Sequence, residues 1–132
     1  MKIKLNSVFV DDQEKALRFY TEALGFVKKM DIPMGSFRWL TVVSPDEPDG
    51  TELVLEPEDN PSAQNFTREL RAQGIPLTAF EVADLHAEYK RLTGLGVDFI
   101  LAPTQTGPIT RAILDDTCGN LIQLYQVNGK VD

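Results

Sequence analysis

The chain has one cysteine, one histidine and one tryptophan among its 132 residues. Each scarcity excludes something. A lone cysteine, Cys118, permits no intrachain disulfide, so a reducing, cytoplasmic setting is expected. A lone histidine, His86, cannot supply the paired imidazoles of many divalent-metal sites, and its place just after a helix cap reads as a solvated helix position. No apolar run approaches the roughly 20 residues of a bilayer-spanning helix, so no membrane partner is expected. The opening MKIKLNSVFVDD has a basic flank, but Asp11 and Asp12 cut its apolar run short, and no signal peptide is read. Cationic residues are outnumbered, 13 Lys and Arg against 20 Asp and Glu, for a net charge of −7. Nucleic acid is therefore not an expected partner, because phosphate binding needs a basic face. The acidic balance would favour a cationic ligand, and its plainer role is solubility.

Composition is that of a soluble globular domain, with 42% hydrophobic and 25% charged residues. Ile3–Val10 alternates and is rich in β-branched and aromatic residues, which predicts a strand. Asp11 or Asp12 then caps a helix in which Ala16, Leu17, Tyr20 and Leu24 recur at spacings of three and four. Gly25 stops it. Phe26–Ile32, FRWLTVV and TELVLEP read as three further strands, separated by the turns PMGS and SPDEPDG. A connector follows, in which Phe66 and Leu70 mark a short helix ending at Gly74.

The pattern then repeats. Leu77–Val82 is a strand, Asp84–Thr93 a helix, and Val97–Leu101, Thr110–Leu114 and Leu121–Gln126 are strands. Val10 matches Val82 and Asp12 matches Asp84 at a separation of 72 residues; WLTVV matches TRAIL, and Glu52–Leu55 matches Gln123–Gln126, at 71. This is an internal duplication. The expected fold is α+β: two tandem β-α-β-β-β modules, 1–57 and 77–128, with a connector at 58–76, forming one domain over 1–132. Each module's sheet has one face on its helix and the other still to be buried, so paired sheets would make a cup-like half-barrel.

The stretches DDQEKALRFYTEALGF, ELVLEP and ILDDTCGNLIQLYQ resemble the vicinal oxygen chelate superfamily, which holds glyoxalases, extradiol dioxygenases and bleomycin resistance proteins. In the last stretch Thr117 and Cys118 stand where that superfamily usually has a proline and a variable residue. The resemblance covers nearly the whole chain and implies the cup fold, with dimers common. Its metal-dependent members place a His on the first strand and a Glu on the last strand of each module. Carried over, those positions are Leu5, Glu52, Leu77 and Gln123. Leucine has no lone pair to give, so no metal and no cofactor are expected.

The expected ligand-binding cup comprises Leu5, Ser7, Trp39, Glu52, Leu77, Gln123 and Tyr125. Strand alternation adds Glu56, Phe9, Ala79 and Glu81 to the same walls. Unpaired carboxylates in a cup would be costly. They would suit a polar ligand or a partner arginine, Arg38 or Arg111. Phe37, Trp39 and Thr41 share one face of their strand and Arg38, Leu40 and Val42 the other; the inward face is open. Cys118 lies beside Asp115 and Asp116, which disfavour a thiolate.

The leading expectation is a metal-free small-molecule binding protein of the bleomycin-resistance type, working as a homodimer. Three alternatives remain: a glyoxalase-like (lactoylglutathione lyase) or dioxygenase-like metalloenzyme, a metal-free acid–base enzyme using Glu52 or Glu56, and an association domain whose cup is plugged by leucines.

Overall fold

A computed structural model of the protein describes residues 1–129. Strand β1 (Leu5–Val10) leads into helix α1 (Gln13–Arg18), then β2 (Val27–Met34), β3 (Phe37–Val43) and β4 (Glu52–Pro57). Helix α2 (Pro61–Ala72) connects to β5 (Thr78–Glu81), α3 (Leu85–Gly94), β6 (Phe99–Thr106), β7 (Ile109–Asp115) and β8 (Leu121–Val127). The two four-stranded sheets have the orders β1-β4-β3-β2 and β5-β8-β7-β6. In each, the first strand runs parallel to the last and the other neighbours are antiparallel. The architecture is α+β, two tandem modules with no closed barrel.

Local chemistry explains the helices. Asp12 accepts from Lys15 N at 2.9 Å, and Asp84 accepts from Ala87 N at 3.1 Å, so each matched aspartate caps its helix. Helix α1 continues as a wide π-helical turn over Phe19–Ala23, in which Leu24 N donates to Phe19 O at 3.2 Å. Gly25, at φ 88°, ends it in a conformation that a side chain disfavours. The connector helix is longer than its two apolar markers suggest, 12 residues, because Asn60 caps it and Pro61 sits in its first turn. Arg71 Nη2 ties that helix to Asp115 at 2.6 Å. Two strands outrun the sequence-based limits. Strand β2 runs on through Pro33, tolerated because β2 is a sheet edge, leaving Gly35 and Ser36 as the turn, and β6 extends to Thr106.

Alternation sorts each sheet into a helix face and an open face. In the first, Val8, Val10, Leu40, Val42, Leu53 and Leu55 pack with Ala16 and Tyr20. In the second, Ala112, Leu114, Ile122 and Leu124 pack with Leu85 and Leu92. Each large aliphatic side chain so buried contributes about 1.5–3 kcal/mol. The modules are joined on the helix side. Phe26 and Phe80 meet edge to face with centroids 5.1 Å apart, and Arg91 Nη1 donates to Ala23 O at 2.9 Å. The β7–β8 turn closes on the first module, where Asp11 N donates to Cys118 O at 3.2 Å and Asn120 Nδ2 to Phe9 O at 2.7 Å.

Candidate functional site: the open faces of the two sheets

The helix faces are committed to the core, which leaves the open faces for function. Residues on them follow from register. Leu5 lies opposite Glu52, Ser7 opposite Val54 and Phe9 opposite Glu56. Thr41 lies opposite Val54, and Trp39 opposite Ile32. Phe37, Trp39 and Thr41 therefore face away from the helix, while Arg38, Leu40 and Val42 face toward it. On the second sheet Ala79 lies opposite Gln123, Glu81 opposite Tyr125, Arg111 opposite Tyr125 and Ile113 opposite Gln123.

That register corrects one match made from sequence. Glu52 and Gln123 are not equivalent positions. Since Leu5 faces Glu52 and Ala79 faces Gln123, the structural counterpart of Gln123 is Val54, and that of Glu52 is Leu121, which is 4% exposed. WLTVV is likewise displaced by one residue, so Trp39 corresponds to Arg111 and Thr41 to Ile113. Leu5 is 49% exposed, whereas Leu77 is partly buried against the first module's core.

The polar groups on these faces have few partners. Glu52 Oε1 accepts from Thr41 Oγ1 at 2.8 Å, and no cationic side chain among the described residues bonds to Glu52 or Glu56. The arginines expected to neutralise them do not. Arg38 lies on the helix face, where it pairs with Asp31 at 2.7 Å and Glu14 at 2.6 Å. That guanidinium holds the Asp31 carboxyl down at about 2. Arg111 donates from Nη1 to Gln123 Oε1 at 3.0 Å.

Leu5 and Leu77 offer no donor atom, Glu52 is bonded to a threonine and Gln123 to an arginine. Among the described residues no three His, Cys, Asp or Glu side chains converge as metal donors. The donor set does not fit the divalent ion of the superfamily's metal-dependent members. His86 is exposed on α3. Cys118 is buried, and burial together with the Asp116 charge pushes its thiol up to about 12. A thiol so placed is not a nucleophile at neutral pH.

Two cavities, of about 420 and 370 Å³, lie between the modules and share Phe26, Ser44, Phe80 and Glu81. None of the seven expected cup residues lines either of them, though Ala79 and Glu81, added to the walls by alternation, do. The open faces instead present apolar side chains to solvent: Leu5, Ile32, Met34 and Phe37 are 49%, 42%, 49% and 37% exposed. Sequence reasoning placed Ser7, Trp39, Gln123 and Tyr125 on these walls and read Arg111 as a partner for carboxylates, whereas it bonds Gln123. No helix among the described residues is long and apolar enough to cross a membrane.

Comparison with known proteins agrees with this fold. The chain is 56% identical over 126 residues to the uncharacterized protein YurT of Bacillus subtilis (strain 168), covering 96% of this chain and 99% of that one. Among solved structures it is similar to UcmS2, with a TM-score of 0.80 and 35% identity over 95% of this chain and 97% of that one. It is also similar to TnmS3, an antibiotic binding protein from Streptomyces sp. CB03234, with a TM-score of 0.77 and 32% identity over 97% of both chains. The family profile described as Glyoxalase/Bleomycin resistance protein/Dioxygenase superfamily matches residues 2–124, and the chain belongs to that superfamily.

Proposed function

We propose that this protein binds a small organic molecule and does no chemistry on it. The ligand lies between the open face of a first sheet and the open face of a second, and a second copy of the chain completes the enclosure. The observation that carries this reading is the pair of leucines, Leu5 and Leu77, at the matched first-strand positions where metal-dependent relatives hold histidines. A metal-free cup keeps the fold's capacity to enclose while lacking the Lewis acid that drives its reactions. The likeness to TnmS3, itself an antibiotic binding protein, supports the same reading. The exposed apolar side chains Ile32, Met34 and Phe37 on β2 and β3, with Leu5 on β1, support a covering partner, because surfaces of this kind mark interaction sites.

Native mass spectrometry of the protein as purified, without added metal, tests the reading. The expected spectrum is a dimer of bare polypeptide or of polypeptide carrying an organic adduct. A stoichiometric divalent metal that survives buffer exchange would overturn it in favour of a metalloenzyme.

A further inference from the structure

Arg111 is a half-buried guanidinium with no carboxylate partner among the described residues. Arg38, Arg71 and Arg91 each pair with an acid at 2.7 Å or less, and Arg18 and Arg68 are exposed. Arg111 has no ion pair among the described residues. Its Nη1 is held by the amide oxygen of Gln123 at 3.0 Å, and its Nε is buried and bonds to no acceptor among the described residues. A guanidinium has five N–H donors and no acceptor, so most of its bonding capacity is unspent. Leaving a buried donor unmade costs free energy, and a cation more. Among the described residues no acidic side chain pairs with it.

The position aims the group at the proposed ligand. Arg111 shares the open face of β7 with Ile113 and sits opposite Tyr125 on β8 and Thr104 on β6. Gln123, diagonal to it, fixes its orientation. Its structural counterpart on the other sheet is Trp39, an aromatic plate. The net charge of −7 argues for cationic ligands at long range, but charges beyond about 8–10 Å are largely screened by physiological salt, whereas a fork within bonding distance is not.

We infer that Arg111, held by Gln123, is the recognition group for an ionised oxygen, a carboxylate or phenolate, on a flat organic ligand. The inference rests on the binding-protein reading above and specifies its ligand class.

Fluorescence of Trp39, the chain's one tryptophan, reports the test. Three matched probes are titrated into the full-length protein: 2-naphthoate, 2-naphthamide and 2-naphthylmethylammonium. The expected order has naphthoate at least about tenfold tighter than the other two, as a charge-assisted bidentate contact requires. Arg111→Met should collapse the naphthoate-over-naphthamide preference to within about twofold, and Arg111→Lys should restore part of it. Equal affinity for the three probes, or preference for the ammonium, overturns the anion assignment and leaves the binding-protein reading standing. Failure of all three to bind counts against both. Size-exclusion chromatography of Arg111→Met guards the interpretation: dissociation into monomers would mean that a partner subunit's carboxylate takes the guanidinium, and would overturn the inference.

Discussion

Tyr20 and Asp116, 96 residues apart in the chain, meet through a 2.7 Å hydrogen bond from phenol to carboxylate. Both side chains are fully buried. Asp116 also accepts from Cys118 N at 2.8 Å and from Asn120 N at 2.9 Å and Nδ2 at 3.0 Å. Burial raises its carboxyl above the usual range, and these donors pull it back. The bond joins the first module's helical segment to the turn that precedes the second module's last strand. Tyr20→Phe should therefore cost about 1–3 kcal/mol, the cost of stripping a partner from a buried acceptor. Urea unfolding should show a lower midpoint at unchanged slope. A midpoint within error of the parent would mean that the bonds to Asn120 and Cys118 hold the turn without Tyr20.

Thr117 is the non-glycine residue with positive φ, 65°, among the described residues. A β-branched side chain is strained there, and asparagine tolerates the region better. Thr117→Asn should raise stability by about 1 kcal/mol, read as a higher melting temperature. Asp115 Oδ1 accepts from Thr117 N at 2.8 Å, a backbone contact the substitution keeps.

Arg38 governs an acid limb. Its guanidinium beside Asp31 depresses that carboxyl to about 2, below the ordinary value of 3.8. A depressed folded-state value contributes stability above pH 3.8 that is lost as pH falls toward 2. Arg38→Met should flatten the stability–pH curve in that window while leaving its shape above pH 5 unchanged. The measurement is denaturant unfolding at stepped pH, and an identical acid limb would count against the pairing.

Cys118 should resist thiol reagents in the native protein. Its side chain is buried and its thiol is pushed up to about 12 by burial and by Asp116. Ellman's reagent at pH 8 should react only as fast as the β7–β8 turn opens, and immediately in denaturant. Prompt native labelling would place the thiol at the surface.

The local signals were the legible ones. Asp12 and Asp84 as caps and Gly25 as a stop depend on a few adjacent residues, and the structure has them as read. The register of the last strands was not legible. The β3–β4 connection runs over 44–51 and the β7–β8 connection over 116–120, so the second is shorter and draws β8 out of step. A strand alternates with period two, so a match displaced by two residues still puts inward residues inward. Glu52 matched to Gln123 looked as consistent as Val54 does. Trp39 posed a different problem: its strand is apolar on both faces, and only the helix packing on Leu40 and Val42 decides which side it takes. From sequence Arg111 reads as a partner for the cup carboxylates; that it bonds Gln123 and has no carboxylate among the described residues is a matter of geometry, which no pattern of residues displays.

On the helix faces, counterpart positions keep their chemistry: Val42 with Leu114, Leu53 with Ile122, Leu55 with Leu124. On the open faces they do not: Trp39 stands against Arg111, Thr41 against Ile113, Val54 against Gln123. A fold with near-twofold symmetry would accept a guest equally well turned end for end. Here one open face carries an aromatic plate and the other a cation, so under the proposed binding role a guest between them would be told head from tail.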